Sequence, residues 1–158
     1  MKIWYKLTMG KIPEDKLKWL LSLLPYATSA QEKWPGMRAS VCIAQAALET
    51  AWGKRKIGGW NLWGLKAMKW VPSSVEVVTH EWDKDTRDYV KVTARFCAFA
   101  TPLEGFEAYG RLVTNSPTYR EARDSADPVA YVKELAKHWA TDPMYAEKIN
   151  WIIKEAGL

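Results

Sequence analysis

Apolar residues recur along the chain with two periods, and the change from one to the other marks out its parts. Pro13, followed by Glu14 and Asp15, opens a first helix that is predicted to run to about Leu24 and to stop at Pro25. A short helix follows over Tyr26–Lys33 and ends before Trp34-Pro-Gly36. The third helix, from about Met37 to Trp52, is apolar nearly all round, which predicts burial in the middle of the domain. Gly53–Trp70 contains Gly58-Gly-Trp-Asn-Leu-Trp-Gly-Leu65 and reads as a loop. The period then falls to two. Val75, Val77, Thr79 and Glu81 share one side of a strand over Val75–Trp82. Val90, Val92, Ala94, Phe96 and Ala98 share one side of a strand over Tyr89–Phe99, and the polar run Asp83–Asp88 joins the two as a β-hairpin. Helical patterning returns at Thr101-Pro-Leu-Glu104, a capping box predicted to open a helix to about Thr114. Asp127-Pro128 and Asp142-Pro143 are expected to start helices over 128–139 and 143–156, the last closed by Gly157. The order predicts an α+β fold, mostly helical, with a small β-hairpin lobe at about 71–99.

At 158 residues the chain is long enough for one domain with a real core, taken as 1–158. No apolar run is long enough to span a bilayer. Leu17–Leu24 is interrupted by Lys18 and Ser22 and lacks the flanks of a signal peptide, so no export signal is expected. Cys42 and Cys97 lie far apart in apolar segments and are expected to be buried free thiols. No Cys/His cluster has metal-ligand spacing and no glycine pattern suits a phosphate cradle, so neither metal nor cofactor is expected. The formal net charge of +5 suits a polyanionic partner, and the scattering of the cations disfavours nucleic acid. Ten tryptophans are expected mostly in the core, with a minority lining a groove where indoles stack on sugars or on bases.

Few groups are placed for chemistry. Cys42 sits inside an apolar helix rather than at a helix start, and no serine stands in a nucleophile elbow. Carboxylates remain. Glu49 is the one acid in Val41-Cys-Ile-Ala-Gln-Ala-Ala-Leu-Glu-Thr-Ala-Trp52. Helical counting gives it Gln45, Trp52 and Gly53 as neighbours and no cation. Apolar surroundings raise a carboxyl pKa, which lets the group act as a general acid near neutral pH. The alternative is an ion pair with a Lys or Arg from elsewhere in the fold. Glu81 ends a strand on the face of Val77 and Thr79, beside His80. It is either a second functional carboxylate or an edge charge that discourages aggregation. A pair of carboxylates flanking a sugar-binding cleft is what glycoside hydrolysis needs.

Three segments carry a family resemblance. Ala44-Gln-Ala-Ala-Leu-Glu-Thr-Ala-Trp-Gly53 resembles the AQAALESGWG signature of the bacterial endo-β-N-acetylglucosaminidases of glycoside hydrolase family 73. Asn61-Leu-Trp-Gly-Leu-Lys66 resembles their NLFGIK segment, and Trp139-Ala-Thr-Asp-Pro-Met-Tyr-Ala-Glu-Lys-Ile149 their YATDPxYAxKI ending. The resemblance covers roughly residues 20 to 156 and implies a lysozyme-like fold that cleaves peptidoglycan after N-acetylglucosamine. It implies Glu49 as the catalytic acid and Glu81 as the β-lobe carboxylate, with Glu76 and Asp83 as rivals for the second role. Gln45, Asn61, Trp63, Trp139 and Tyr145 are the expected substrate-binding residues. Thr50-Ala51 departs from the family's Ser-Gly. The expected partner is bacterial peptidoglycan, the expected state a monomer without membrane insertion. A chain of this kind resembles a phage endolysin, made in the cytoplasm and released to the wall through a holin; a secreted effector or an excised domain would read the same. Two other activities share the pattern. One is a lysozyme-fold muramidase or lytic transglycosylase using Glu49 alone, the other a non-catalytic wall-binding module.

Overall fold

The computed structural model describes residues 10–158, so the first nine residues of the expected domain lie outside the described residues. Its centre is the helix that the sequence marks as apolar on every side. This helix, α3 (Ala39–Glu49), has every residue from Val41 to Ala47 buried. Ala44, Ala46 and Ala47 are small enough to let neighbouring helices come close. Before it come α1 (Glu14–Ser22) and α2 (Leu24–Lys33), and α2 packs on α3. After the hairpin, α4 (Pro102–Asn115) lies along α2 and brings Phe106, Tyr109 and Val113 into the core. A 3-10 turn over Pro117–Tyr119, α5 (Arg120–Asp124) and α6 (Pro128–Trp139) lead to α7 (Tyr145–Ala156), which closes against α3 and α6. Among the described residues no helix is long and apolar enough to cross a membrane.

Helix ends follow local chemistry, and three differ from expectation. The first break falls at Leu23, and Pro25 lies inside the first turn of α2, where its missing N–H costs nothing. α3 stops at Glu49 rather than Trp52 because the Thr50 hydroxyl turns back: it donates to the Ala46 carbonyl at 2.6 Å and accepts the Gly53 N–H at 2.7 Å. Ala51 and Trp52 then take left-handed conformations, with φ of 49° and 61°, and Trp52 and Gly53 leave the Glu49 face. Asp142 does not cap α7, which begins at Tyr145; it holds the Met144 N–H and pairs with Lys148 instead. The caps at Thr101 and Asp127 are as expected. The short 3-10 turn and α5 carry no periodicity long enough to read in the sequence.

The β lobe is a two-stranded antiparallel sheet of β1 (Ser74–Asp83) and β2 (Asp88–Cys97), with Val75 opposite Phe96 and Glu81 opposite Val90. The predicted alternation holds, with Val75, Val77 and Thr79 more buried than Val78 and His80. Asn61 ties the loop before β1 to the end of β2. Its Nδ2 donates to the Leu65 and Cys97 carbonyls, both at 2.9 Å, and its Oδ1 accepts the Leu65 N–H at 2.8 Å. At 2% exposure and with its amide so engaged, Asn61 does not line a cleft; the expectation that it binds substrate is corrected to a structural role. Gly58 passes so close to this junction that a Cβ there would collide with the Cys97 carbonyl oxygen. Cys42 and Cys97 are buried and free.

Asn61→Ala removes three buried hydrogen bonds, the Leu65 carbonyl keeping only the Cys97 N–H, and is expected to cost about 2–4 kcal/mol, read by urea denaturation. Ala51→Gly relieves the left-handed strain and is expected to gain about 0.5–1 kcal/mol, or about 2 °C in Tm by thermal melting.

Candidate active site

Glu49 is the last residue of α3, and the left-handed turn behind it carries the backbone away, so its side chain opens into a cleft. The cleft has a volume of about 440 Å³ and is lined by Trp63, Lys66, Phe96, Tyr119, His138 and Trp139 among others. Glu49 is solvent-accessible from this side, whereas Val41 to Ala47 of α3 are sealed. Desolvation by the surrounding protein raises its pKa, and hydrogen bonds from Tyr145 and Trp139 oppose that rise. The Tyr145 hydroxyl donates to Glu49 Oε1 at 2.8 Å. Among the described residues no Lys or Arg forms the ion pair with Glu49 that the alternative reading expects.

Of the expected binding residues, Trp139 and Trp63 lie at this cleft and Tyr145 touches Glu49 directly. Trp63 is 3% exposed, its indole N–H donating to the Cys42 carbonyl at 2.9 Å and its ring set edge-on to Phe106 at 4.8 Å, so only an edge meets the cleft. Gln45 is fully buried beneath Glu49, bonded to the hydroxyls of Tyr145 and Tyr109. It cannot touch a sugar, and the expectation that it does is corrected. Tyr109, Tyr119, Lys66, Phe96 and His138 escape the sequence reading. Tyr109 sits at core spacing with Phe106 and Val113, so its period announces packing and says nothing of its hydroxyl.

The β-lobe acids differ in their surroundings. Glu81 lies on the same strand face as Val75, whose cross-strand partner Phe96 lines the Glu49 cleft. It is exposed and pairs with Lys66 Nζ at 3.0 Å, while that ammonium also stands 4.6 Å from the Phe96 ring centroid. Lys66 thus bridges Glu81 to the cleft, and Glu81 makes no contact with Glu49 itself. Glu76 faces the other way, opposite Arg95. Asp83 Oδ1 holds the N–H groups of Asp85 and Thr86, which lower its pKa and commit it to the turn.

A larger cleft of about 750 Å³ lies at the root of the β lobe, between Trp34, Trp70 and Arg111. Both carboxylates on its wall are engaged: Glu104 accepts the Ala100 N–H and Glu107 pairs with Lys33 at 2.6 Å. Its size exceeds that of the Glu49 cleft, but it holds no carboxyl in a comparable state.

Known proteins resemble this arrangement over most of its length. The chain is 34% identical to the peptidoglycan hydrolase FlgJ of Pseudomonas aeruginosa over 87% of its own length and 36% of that protein's. It is 31% identical to FlgJ of Escherichia coli K12 over 91% of its own length and 48% of that protein's. The chain therefore spans between about a third and a half of these curated relatives. The catalytic domain of the autolysin Auto from Listeria monocytogenes superposes with a TM-score of 0.80 at 26% identity, covering 94% of this chain and 88% of that one. The C-terminally truncated glycoside hydrolase domain of Salmonella typhimurium FlgJ gives 0.71 at 30% identity, covering 90% and 98%. The family model Glucosaminidase, described as mannosyl-glycoprotein endo-beta-N-acetylglucosaminidase, matches residues 24–158, and the chain belongs to this family of glycoside hydrolases.

Proposed function

We propose that this domain hydrolyses the glycan strands of bacterial peptidoglycan after N-acetylglucosamine, with Glu49 as general acid and Glu81 as its partner. The observation that carries the reading is the state of Glu49. Its carboxyl is accessible from a cleft, has no cation partner among the described residues and has a pKa raised by desolvation. Such a group keeps its proton long enough to give it to the glycosidic oxygen as the C1–O bond breaks. Positive charge then develops at C1. Glu81 stabilises that charge, or takes a proton from the water that attacks C1; in either case the water's oxygen bonds to C1 and the leaving sugar departs as an alcohol. Family membership and the hydrolase relatives support the substrate class, and the +5 net charge suits an anionic wall polymer. This role requires the hairpin, whose strands pack chiefly on each other, to carry Glu81 away from Lys66 and towards the reacting centre.

A second reading uses Glu49 alone, as a muramidase or lytic transglycosylase would. The ion pair between Glu81 and Lys66 favours it, since that pair occupies the second carboxylate.

Glu49→Gln is expected to cut release of reducing ends from purified sacculi by about 10²–10⁴-fold. The folded-state pKa of Glu49 is raised, so its stability contribution is present in acid and is lost as pH climbs through that value. The Gln variant should therefore melt no lower than the parent at pH 7, and its relative advantage should shrink towards pH 4. Glu81→Gln is expected to lower activity at least about tenfold if it acts as the partner. Near-parental activity, with anhydro-muramic or muramic product ends by mass spectrometry after borohydride reduction, would select the single-carboxylate reading.

A further inference from the structure

Beneath the cleft, four side chains from three helices are joined end to end. Tyr109 of α4 donates its hydroxyl proton to Gln45 Oε1 of α3. Gln45 Nε2 donates to the Tyr145 hydroxyl of α7 at 3.2 Å, and Tyr145 donates to Glu49 Oε1 at 2.8 Å. Tyr109 and Gln45 are fully buried and Tyr145 is 5% exposed, which leaves water little access to compete.

The chain has one direction, set at its buried end. Because Tyr109 gives its proton to Gln45, the amide oxygen faces Tyr109 and the amide nitrogen faces Tyr145. An amide NH₂ only donates. The Tyr145 oxygen therefore receives, and its own proton goes to Glu49. Ionisation does not reverse the order, since desolvation holds both tyrosines well above their ordinary range.

We propose that Tyr109 and Gln45 are positioning residues: they make Tyr145 an obligate donor to Glu49 Oε1, so that the transferable proton of the acid resides on Oε2. The functional meaning rests on Glu49 being the general acid. Donation to Oε1 favours the ionised carboxylate and so limits how far desolvation weakens the acid. Breaking the chain lets Tyr145 turn over and accept a proton from neutral Glu49. The neutral form gains a partner and the pKa rises further. Among the described residues, the other polar groups at the carboxyl are Trp139 and His138 of α6, Tyr119 of the 3-10 turn and Lys66 of the loop before β1, and they are unchanged in the variants below.

The test is a titration of the ¹³C-labelled Glu49 carboxyl by NMR in the full chain, in the parent, Gln45→Met, Tyr109→Phe and the double variant. Each single change should raise the Glu49 midpoint by about half to one pH unit, and the double should move it no further than the larger single. The basic limb of kcat/KM against pH should follow. Lost buried hydrogen bonds lower Tm in any case, but a role in packing alone would leave the midpoint in place. An unmoved midpoint in a folded variant, or additive shifts in the double, overturns the proposal. A midpoint that moves without the kinetic limb upholds the chain and removes Glu49 as the acid. Tyr109→Phe keeps the ring against Trp63 and Trp139, so it carries the test should Gln45→Met fail to fold.

Discussion

A carboxyl proposed as a general acid has to be partly desolvated and still within reach of substrate. α3 meets both demands by ending at that residue. Up to Ala47 the helix is sealed; two residues later the side chain is open to the cleft. The Thr50 hydroxyl stops the helix, and the left-handed turn that follows keeps Trp52 from lying over the acid. Everything else is arranged about this point. α7 comes back from 96 residues away to supply Tyr145, α6 ends at Trp139 beside the same carboxyl, and Asn61 ties the β lobe to the junction below.

Size and chemistry point to different clefts in this molecule. The larger hollow has tryptophans, a stacked arginine and two glutamates, yet each glutamate there is held by a backbone N–H or a lysine. Among the described residues, the smaller one has a single carboxylate, and no cation pairs with it. The condition of the carboxyl, rather than the volume around it, is therefore the ground on which the Glu49 cleft is proposed as the site.

Most of the architecture was legible in the chain because its signals are local. Period-two alternation fixes the strand pairing to within a residue or two, and the caps at Thr101 and Asp127 mark two helix starts. Glu49 stood out because a charge in an apolar helix contradicts its surroundings. What escaped depends on contacts distant in sequence. Gln45 and Asn61 are polar residues in conspicuous motifs, and the motif alone does not say whether an amide faces a ligand or the backbone. Here one holds two tyrosines and the other three main-chain groups. Tyr109 hid in a core stripe, and Asp142 resembled a cap while forming a turn. The helix end at Glu49 was misplaced because Thr50 and Ala51 are compatible with helix until the hydroxyl finds the Ala46 carbonyl.

The hairpin joins the rest of the protein at one end. Leu65 and Ala67 bond the last residues of β2, while the tip carries an exposed Trp82–Tyr89 pair and a turn built on Asp83. Its far end can therefore lengthen, shorten or accept inserted sequence without the helical core registering the change. Natural or laboratory evolution has in that tip a variable that can change while α3 and its carboxyl stay as they are.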